Sequence, residues 1–149
     1  MRNGRDAEAA FEAFVELWQK LKSASEEEGA VVVVEGERDR RALRRLGLDG
    51  PILLIHRGET LSKTAHRLVG QSRPVILLTD WDAEGGQFAR RLKGFLEAER
   101  VDLDLEYRRR FAHILRGELV HVEGLYGWAR RIAEQLGGTL DQFVRSPDR

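Results

Sequence analysis

The chain has 149 residues, a length that suits one domain able to bury roughly two thirds of its unfolded surface without a metal or disulfide staple. Its 42% apolar and 34% charged residues describe a globular protein with a heavily charged surface, and the absence of cysteine excludes disulfide frameworks, zinc–thiolate sites and thiol chemistry. Basic and acidic side chains balance at 25 each, so bulk positive charge cannot bring the chain to nucleic acid and any such contact must come from a local surface.

The N-terminus, Met1 to Asp6, leads into a charged amphipathic stretch with neither an apolar leader run nor a membrane-length segment. A cytoplasmic location and no membrane association are the expectations. Ala10, Phe11, Phe14, Leu17, Trp18 and Leu21 recur at three- and four-residue spacings and mark a helix with one broad apolar face. That face is expected to cover the sheet, and it is also the candidate surface for a homodimer or a protein partner. Lys22 to Gly29 is polar and reads as a linker.

Val31 to Val34 is an unbroken β-branched run, the mark of a strand covered on both faces. Ala42, Leu43 and Leu46 suggest a short helix closed by Gly47, and Ile52 to Ile55 repeats the buried-strand pattern. Thr60 is placed to cap a helix running to Val69, and Pro74 enters a third strand, Val75 to Leu78. Gln87 to Leu96 is helical in pattern. Val101 to Tyr107 alternates and predicts a strand nearer an edge, and Trp128, Ile132, Ala133 and Leu136 predict a last helix ended by Gly137-Gly138. This order predicts an α/β fold, a mostly parallel central sheet with helices on both faces, whose ligands collect at the carboxyl ends of the strands. The expected organisation is a helix and linker over residues 1–29, the α/β domain over 30–136 and a tail over 137–149.

Two of those strand ends carry acids. One reads Val34-Glu35-Gly36-Glu37-Arg38-Asp39, the other Leu78-Thr79-Asp80-Trp81-Asp82-Ala83-Glu84-Gly85-Gly86. Adjacent strands lie about 4.8 Å apart, so acids leaving two neighbouring ends can converge. Converging carboxylates raise one another's pKa unless a cation sits between them. Mg2+ suits such a site because it takes oxygen ligands and keeps several waters, with Mn2+ as the alternative ion. The competing reading is that a strand-end acid merely caps the helix after it.

Glu35-Gly36 and Asp80-Trp81-Asp82 resemble the two motifs of the Toprim domain, shared by topoisomerases, bacterial-type primases, a ribosomal RNA maturase and small standalone archaeal proteins called primase-like. Ala83-Glu84-Gly85 is similar to the longer acidic form in type IA topoisomerases, and Asp39 stands where several members carry a further acid. The resemblance covers about residues 30 to 107. It implies that Glu35 acts in proton transfer and that Asp80 and Asp82 hold the ion. The candidate metal ligands are Glu35, Asp39, Asp80, Asp82 and Glu84, enough oxygens for one ion or two, and the candidate catalytic residues are Glu35, Asp80 and Asp82.

Arg57 and Lys63 near the second strand's end, and Arg108 and Arg109 after the fourth strand, are candidate phosphate or nucleic-acid contacts. His56 is a candidate proton carrier or a structural histidine, and Trp81 either stacks a base or covers the first helix. His113 and His121 have no zinc spacing. The expected activity is Mg2+-dependent phosphoryl transfer on RNA or DNA, most simply cleavage. The alternatives are a nucleic-acid or ribonucleoprotein binding module without turnover, and primase-like nucleotidyl transfer.

Overall fold

The computed structural model describes residues 4–55 and 58–144. Four parallel strands form one sheet in the order β2-β1-β3-β4, with β1 Val31–Val34, β2 Ile52–Leu54, β3 Val75–Leu77 and β4 Leu103–Asp104. β1 is central. Val32 aligns with Ile52 on one side and Ile76 on the other, and Val75 aligns with Leu103. Because side chains alternate across a strand, the four valines divide between two cores. Val32 and Val34 join one cluster, and Val31 and Val33 join the other.

The helices fill both faces accordingly. α3 (Leu61–Gly70) and α4 (Ala83–Ala98) bring Ala65, Leu68, Ala89, Leu92 and Leu96 to one face. α1 (Gly4–Glu26), α5 (Glu106–Ile114) and α6 (Leu125–Gln135) cover the other, with α2 (Glu37–Arg45) beside them. All six apolar residues of the expected α1 face are buried, and Phe14 packs against Phe11, Trp18, Phe111 and Trp128. The Trp18 indole N–H also donates to the Leu46 carbonyl at 3.1 Å. The face expected to cover the sheet does so, and as a surface for a homodimer or partner it is already spent inside the chain.

Four boundaries differ from the sequence pattern, the first being α1, which runs on through Lys22 to Glu26 where a linker was expected and buries Lys22 and Ser25. α4 begins at Ala83 rather than Gln87, because Asp82 caps it and two glycines are carried in its first turns. β4 is two residues long, and the helix α5 starts at Glu106, inside the alternating stretch. Within 137–149, a short helix α7 (Leu140–Val144) buries Leu140 and Val144, and Gln19 donates to the Val144 carbonyl at 3.0 Å. No helix among the described residues is long and apolar enough to cross a membrane.

Candidate metal centre

β1 and β3 are neighbours, so their carboxyl ends deliver Glu35 and the Asp80-Trp81-Asp82 turn to one point. The Asp80 backbone N–H donates to Glu35 Oε2 at 2.8 Å and joins the two ends directly. Each aspartate then divides its oxygens between two tasks. Asp82 Oδ1 accepts from the Gly85 N–H at 2.7 Å and caps α4, which satisfies one of the unpaired donors of a helix start. Asp80 Oδ1 accepts from the Val122 N–H at 2.8 Å. The second oxygens face a third group: His121 Nδ1 lies 3.1 Å from Asp80 Oδ2 and 3.9 Å from Asp82 Oδ2. Ligand atoms of Asp80, Asp82 and His121 all lie within 4.8 Å of one another.

His121 was invisible as a site residue in the sequence. It stands 39 residues after Asp82 with no motif around it. Backbone stitching puts it there. The Trp81 N–H donates to the Val120 carbonyl at 3.0 Å and the Trp81 indole to the Leu119 carbonyl at 2.6 Å. The Trp81 ring stacks on Phe111 with centroids 6.4 Å apart. Trp81 therefore anchors the loop that carries His121 and has no free face for a base on that side. The 3-10 turn Val122–Gly124 follows at once and packs on α2.

The remaining candidates separate. Asp39 is buried at the third position of α2, where its Oδ2 accepts from the Gly36 N–H at 3.0 Å, and the Glu123 backbone also donates to its carboxylate. Glu84 is exposed on the first turn of α4 and shares with Glu35, Gly36, Leu54, Ile55 and Phe88 a groove of about 600 Å³ along the strand ends. Arg108 reaches the centre from α5. Its Nε donates to the Thr79 carbonyl and hydroxyl at 3.2 and 3.1 Å, and its Nη2 to the Asp80 carbonyl at 2.7 Å. It clamps the β3 end from behind. Arg109 is exposed and paired with Glu106 at 2.6 Å. Lys63 is exposed on α3 beside Glu59 and Arg67, in a different hollow from Glu35. His56 and Arg57 lie outside the described residues.

The crowding of acids shows in their protonation. Burial, opposed by the Asp80 N–H and helped by the charges of Asp80, Asp39 and Asp82, raises the Glu35 pKa. Burial and then the Asp80 charge push Asp39 from 3.8 up to about 6. The hydrogen bond to Asp80 raises His121. In chelator, the folded protein thus binds more protons at Asp39 than the unfolded chain does between these values. That stability is fully present below the unfolded pKa and is lost as pH rises to about 6, by about 3 kcal/mol. Urea melts across this range should show the decline in the native protein and a shallower one, left by Glu35, in Asp39→Asn, which keeps an oxygen for Gly36. Parallel pH profiles for the two proteins would refute it.

The donor set fits a divalent cation. Two carboxylate oxygens and an imidazole nitrogen converge, and each aspartate's other oxygen is held in place by a backbone N–H. Residues 30–114 match the Toprim domain. The chain belongs to the Toprim family. It is similar to the UPF0292 protein of Methanosarcina acetivorans, 33% identical over 131 residues, which span 88% of this chain and 90% of that protein. The UPF0292 protein of Thermococcus gammatolerans is 35% identical over 133 residues, 89% and 96% of the two chains. Among solved structures, a protein from Aquifex aeolicus is similar with a TM-score of 0.59 and 29% identity, covering 72% of this chain and 94% of that one. Toprim domains bind divalent metals and belong to metal-dependent nucleic-acid processing, and in this Toprim protein Asp80, Asp82 and His121 can hold the ion. His121 lies beyond the matched residues, so one donor of this Toprim centre comes from outside the family's shared segment.

Proposed function

We propose that the protein is a Mg2+-dependent phosphodiesterase that cleaves RNA or DNA, with Asp80 and Asp82 as principal ligands and Glu35 as the proton-transfer residue. The observation that supports this reading most is the meeting of Glu35, Asp80, Asp82 and His121 at two adjacent strand ends. When bound, the cation supplies charge stabilisation at the phosphate and lowers the pKa of bound water. The chain's own residues do the rest. The Val122 and Gly85 N–H groups fix the aspartates, and Arg108 holds the Asp80 carbonyl, so the acids enter the site preorganised. Glu35 keeps its proton to a higher pH than an exposed glutamate, which suits a group that gives and takes protons. The groove in front of it, lined also by Glu84, lets a strand approach the strand ends. Mn2+ is the alternative ion, and the imidazole of His121 favours it because nitrogen suits first-row transition metals better than Mg2+.

Purified protein incubated with structured RNA, single-stranded DNA and duplex DNA provides the test, in Mg2+, Mn2+ and chelator. Metal-dependent cleavage that Glu35→Gln slows and Asp80→Asn abolishes is the expected result. Glu35→Gln keeps an oxygen for the Asp80 N–H, so its defect reads proton transfer and not loop geometry. Absence of cleavage on every substrate would reject the phosphodiesterase reading.

A further inference from the structure

A hollow of about 750 Å³ lies between α2 and α6, and its lining is arginine-rich in a chain whose overall charge is zero. Arg38, Arg41 and Arg45 stand at three- and four-residue spacings on one face of α2, and Arg130 and Arg131 face them from α6. Five arginines thus meet two glutamates, Glu123 and Glu134. All five are exposed. Arg41 and Arg130 make only surface pairs, at 3.7 Å to Glu37 and 3.3 Å to Glu134, of the kind worth little in water. A protein with balanced charge that concentrates arginine here holds like charges together at a cost that an anionic occupant would remove.

Three further features give the hollow a direction and a width. Glu123 lines it, and the adjoining Val122 N–H is the donor that holds Asp80, so the hollow opens one residue from the acidic centre. Tyr126 sits in it half-buried, with the Arg45 guanidinium 3.9 Å from its ring centroid. A guanidinium in contact with an aromatic ring offers groups against which a base can lie. Gly127 stands in the first turn of α6 on the same wall, and a Cβ there would meet nothing within 4 Å. A bare glycine inside an exposed helix costs about 1 kcal/mol relative to alanine.

We propose that the α2–α6 groove binds a single nucleic-acid strand, its phosphates on Arg38, Arg41, Arg45, Arg130 and Arg131 and a base against the Arg45–Tyr126 stack, and leads that strand to the acidic centre. This rests on the proposed phosphodiesterase activity for its meaning but not for its test. Fluorescence anisotropy of labelled single-stranded RNA, single-stranded DNA and duplex DNA, all in chelator and across a salt series, reads the groove without the metal. The Arg41→Gln/Arg131→Gln protein should bind single strands at least about tenfold more weakly, with a salt slope shallower by about 1.4, two phosphate contacts' worth. Gly127→Leu, which changes no charge and favours the helix, should melt no lower than native and also bind more weakly. The RNA and DNA arms identify the sugar. Equal affinity and salt slope for native and double-arginine proteins, binding confined to duplex, or no binding at all would each overturn the groove. Arginine-dependent strand binding by a native protein that cleaves nothing in metal would instead reject the phosphodiesterase and leave the groove standing.

Discussion

Asp80→Asn removes the metal-dependent rise in melting temperature while leaving the chelated protein within about 0.5 kcal/mol of native stability. The asparagine amide keeps an oxygen for the Val122 N–H, and the Asp80 backbone N–H still reaches Glu35, so the turn retains both restraints. It also removes one negative charge from a centre where Asp80 raises the pKa of Glu35 and Asp39. What goes is the oxygen facing His121 and Asp82. Outer-shell partners of a metal site already contribute ten- to hundredfold in affinity, so losing a direct carboxylate should weaken the ion by about a hundredfold or more. At an ion concentration that gives the native protein about 2.7 kcal/mol, the substituted protein would then gain about 0.4 kcal/mol. Thermal melts in chelator and in Mg2+ and Mn2+ series measure both quantities. Identical metal-dependent shifts would remove Asp80 from the ligand set. Collapse of the variant in chelator would make Asp80 a structural hub for the 119–122 loop. The same variant should show no metal-dependent cleavage, and Asp80→Ala, which strands the Val122 donor, should cost about 1–3 kcal/mol that the asparagine does not.

The second large effect falls on a glycine. Gly85→Ala places a methyl against the Asp80 carbonyl oxygen, 2.8 Å from the Asp80 carbonyl carbon and 3.1 Å from Asp82 Oδ1. These are backbone and a capping carboxylate, not the end of a flexible side chain, so relief requires the β3–α4 turn to open. The Gly85 N–H is the one that Asp82 caps, and the Gly85 carbonyl accepts from the buried Thr79 hydroxyl at 3.2 Å. Opening the turn therefore breaks the cap and moves both aspartates. We expect a loss of about 3 kcal/mol in chelator, at the upper end of overpacking costs, together with most of the metal response. Gly86→Ala is the control. Its Cβ would approach only the ends of the Arg108 and Arg90 side chains, at 3.5 Å each, and its cost should be under about 1 kcal/mol. Equal melting of the two variants would show that the tightness of the turn is not what Gly85 provides.

Most of the framework was legible because its signals are local. The Val31–Val34 run, the Thr60 cap and the spacing from Ala10 to Leu21 each state their element within a few residues. Glu35 and the Asp80-Trp81-Asp82 turn were legible because a parallel α/β sheet sends its strand ends to one edge. The ambiguity between capping acid and ligand also has a physical answer: Asp82 caps with one oxygen and turns the other to the centre. Where the reading fell short, competing local patterns hid the outcome. Val101 to Tyr107 alternates like a strand, yet only Leu103 and Asp104 pair, and Glu106 starts a helix after Asp104 Oδ1 accepts its N–H at 2.8 Å. Arg108 read as a candidate phosphate or nucleic-acid contact, and the turn into α5 aims it at Thr79 and Asp80. His121 was out of reach for a different reason, since nothing around it announces a ligand and only the stitching of Trp81 to residues 119 and 120 brings it in.

That stitching sets an order on how the protein comes into being. Synthesis delivers Glu35, Asp80 and Asp82 well before His121 and Val122, and later still Trp128, which closes the aromatic row begun by Phe11 and Phe14. A nascent chain ending near residue 114 contains the whole family-matched segment but lacks the donor that fixes Asp80, the imidazole beside it and the last wall of the core. The cluster of Asp80, Asp82 and His121 is thus completed only once residues 121 and 122 have been made. A ribosome still engaged in making the protein holds a chain in which Glu35 and Asp82 can already have their backbone partners while the Asp80 carboxylate is not yet set in place.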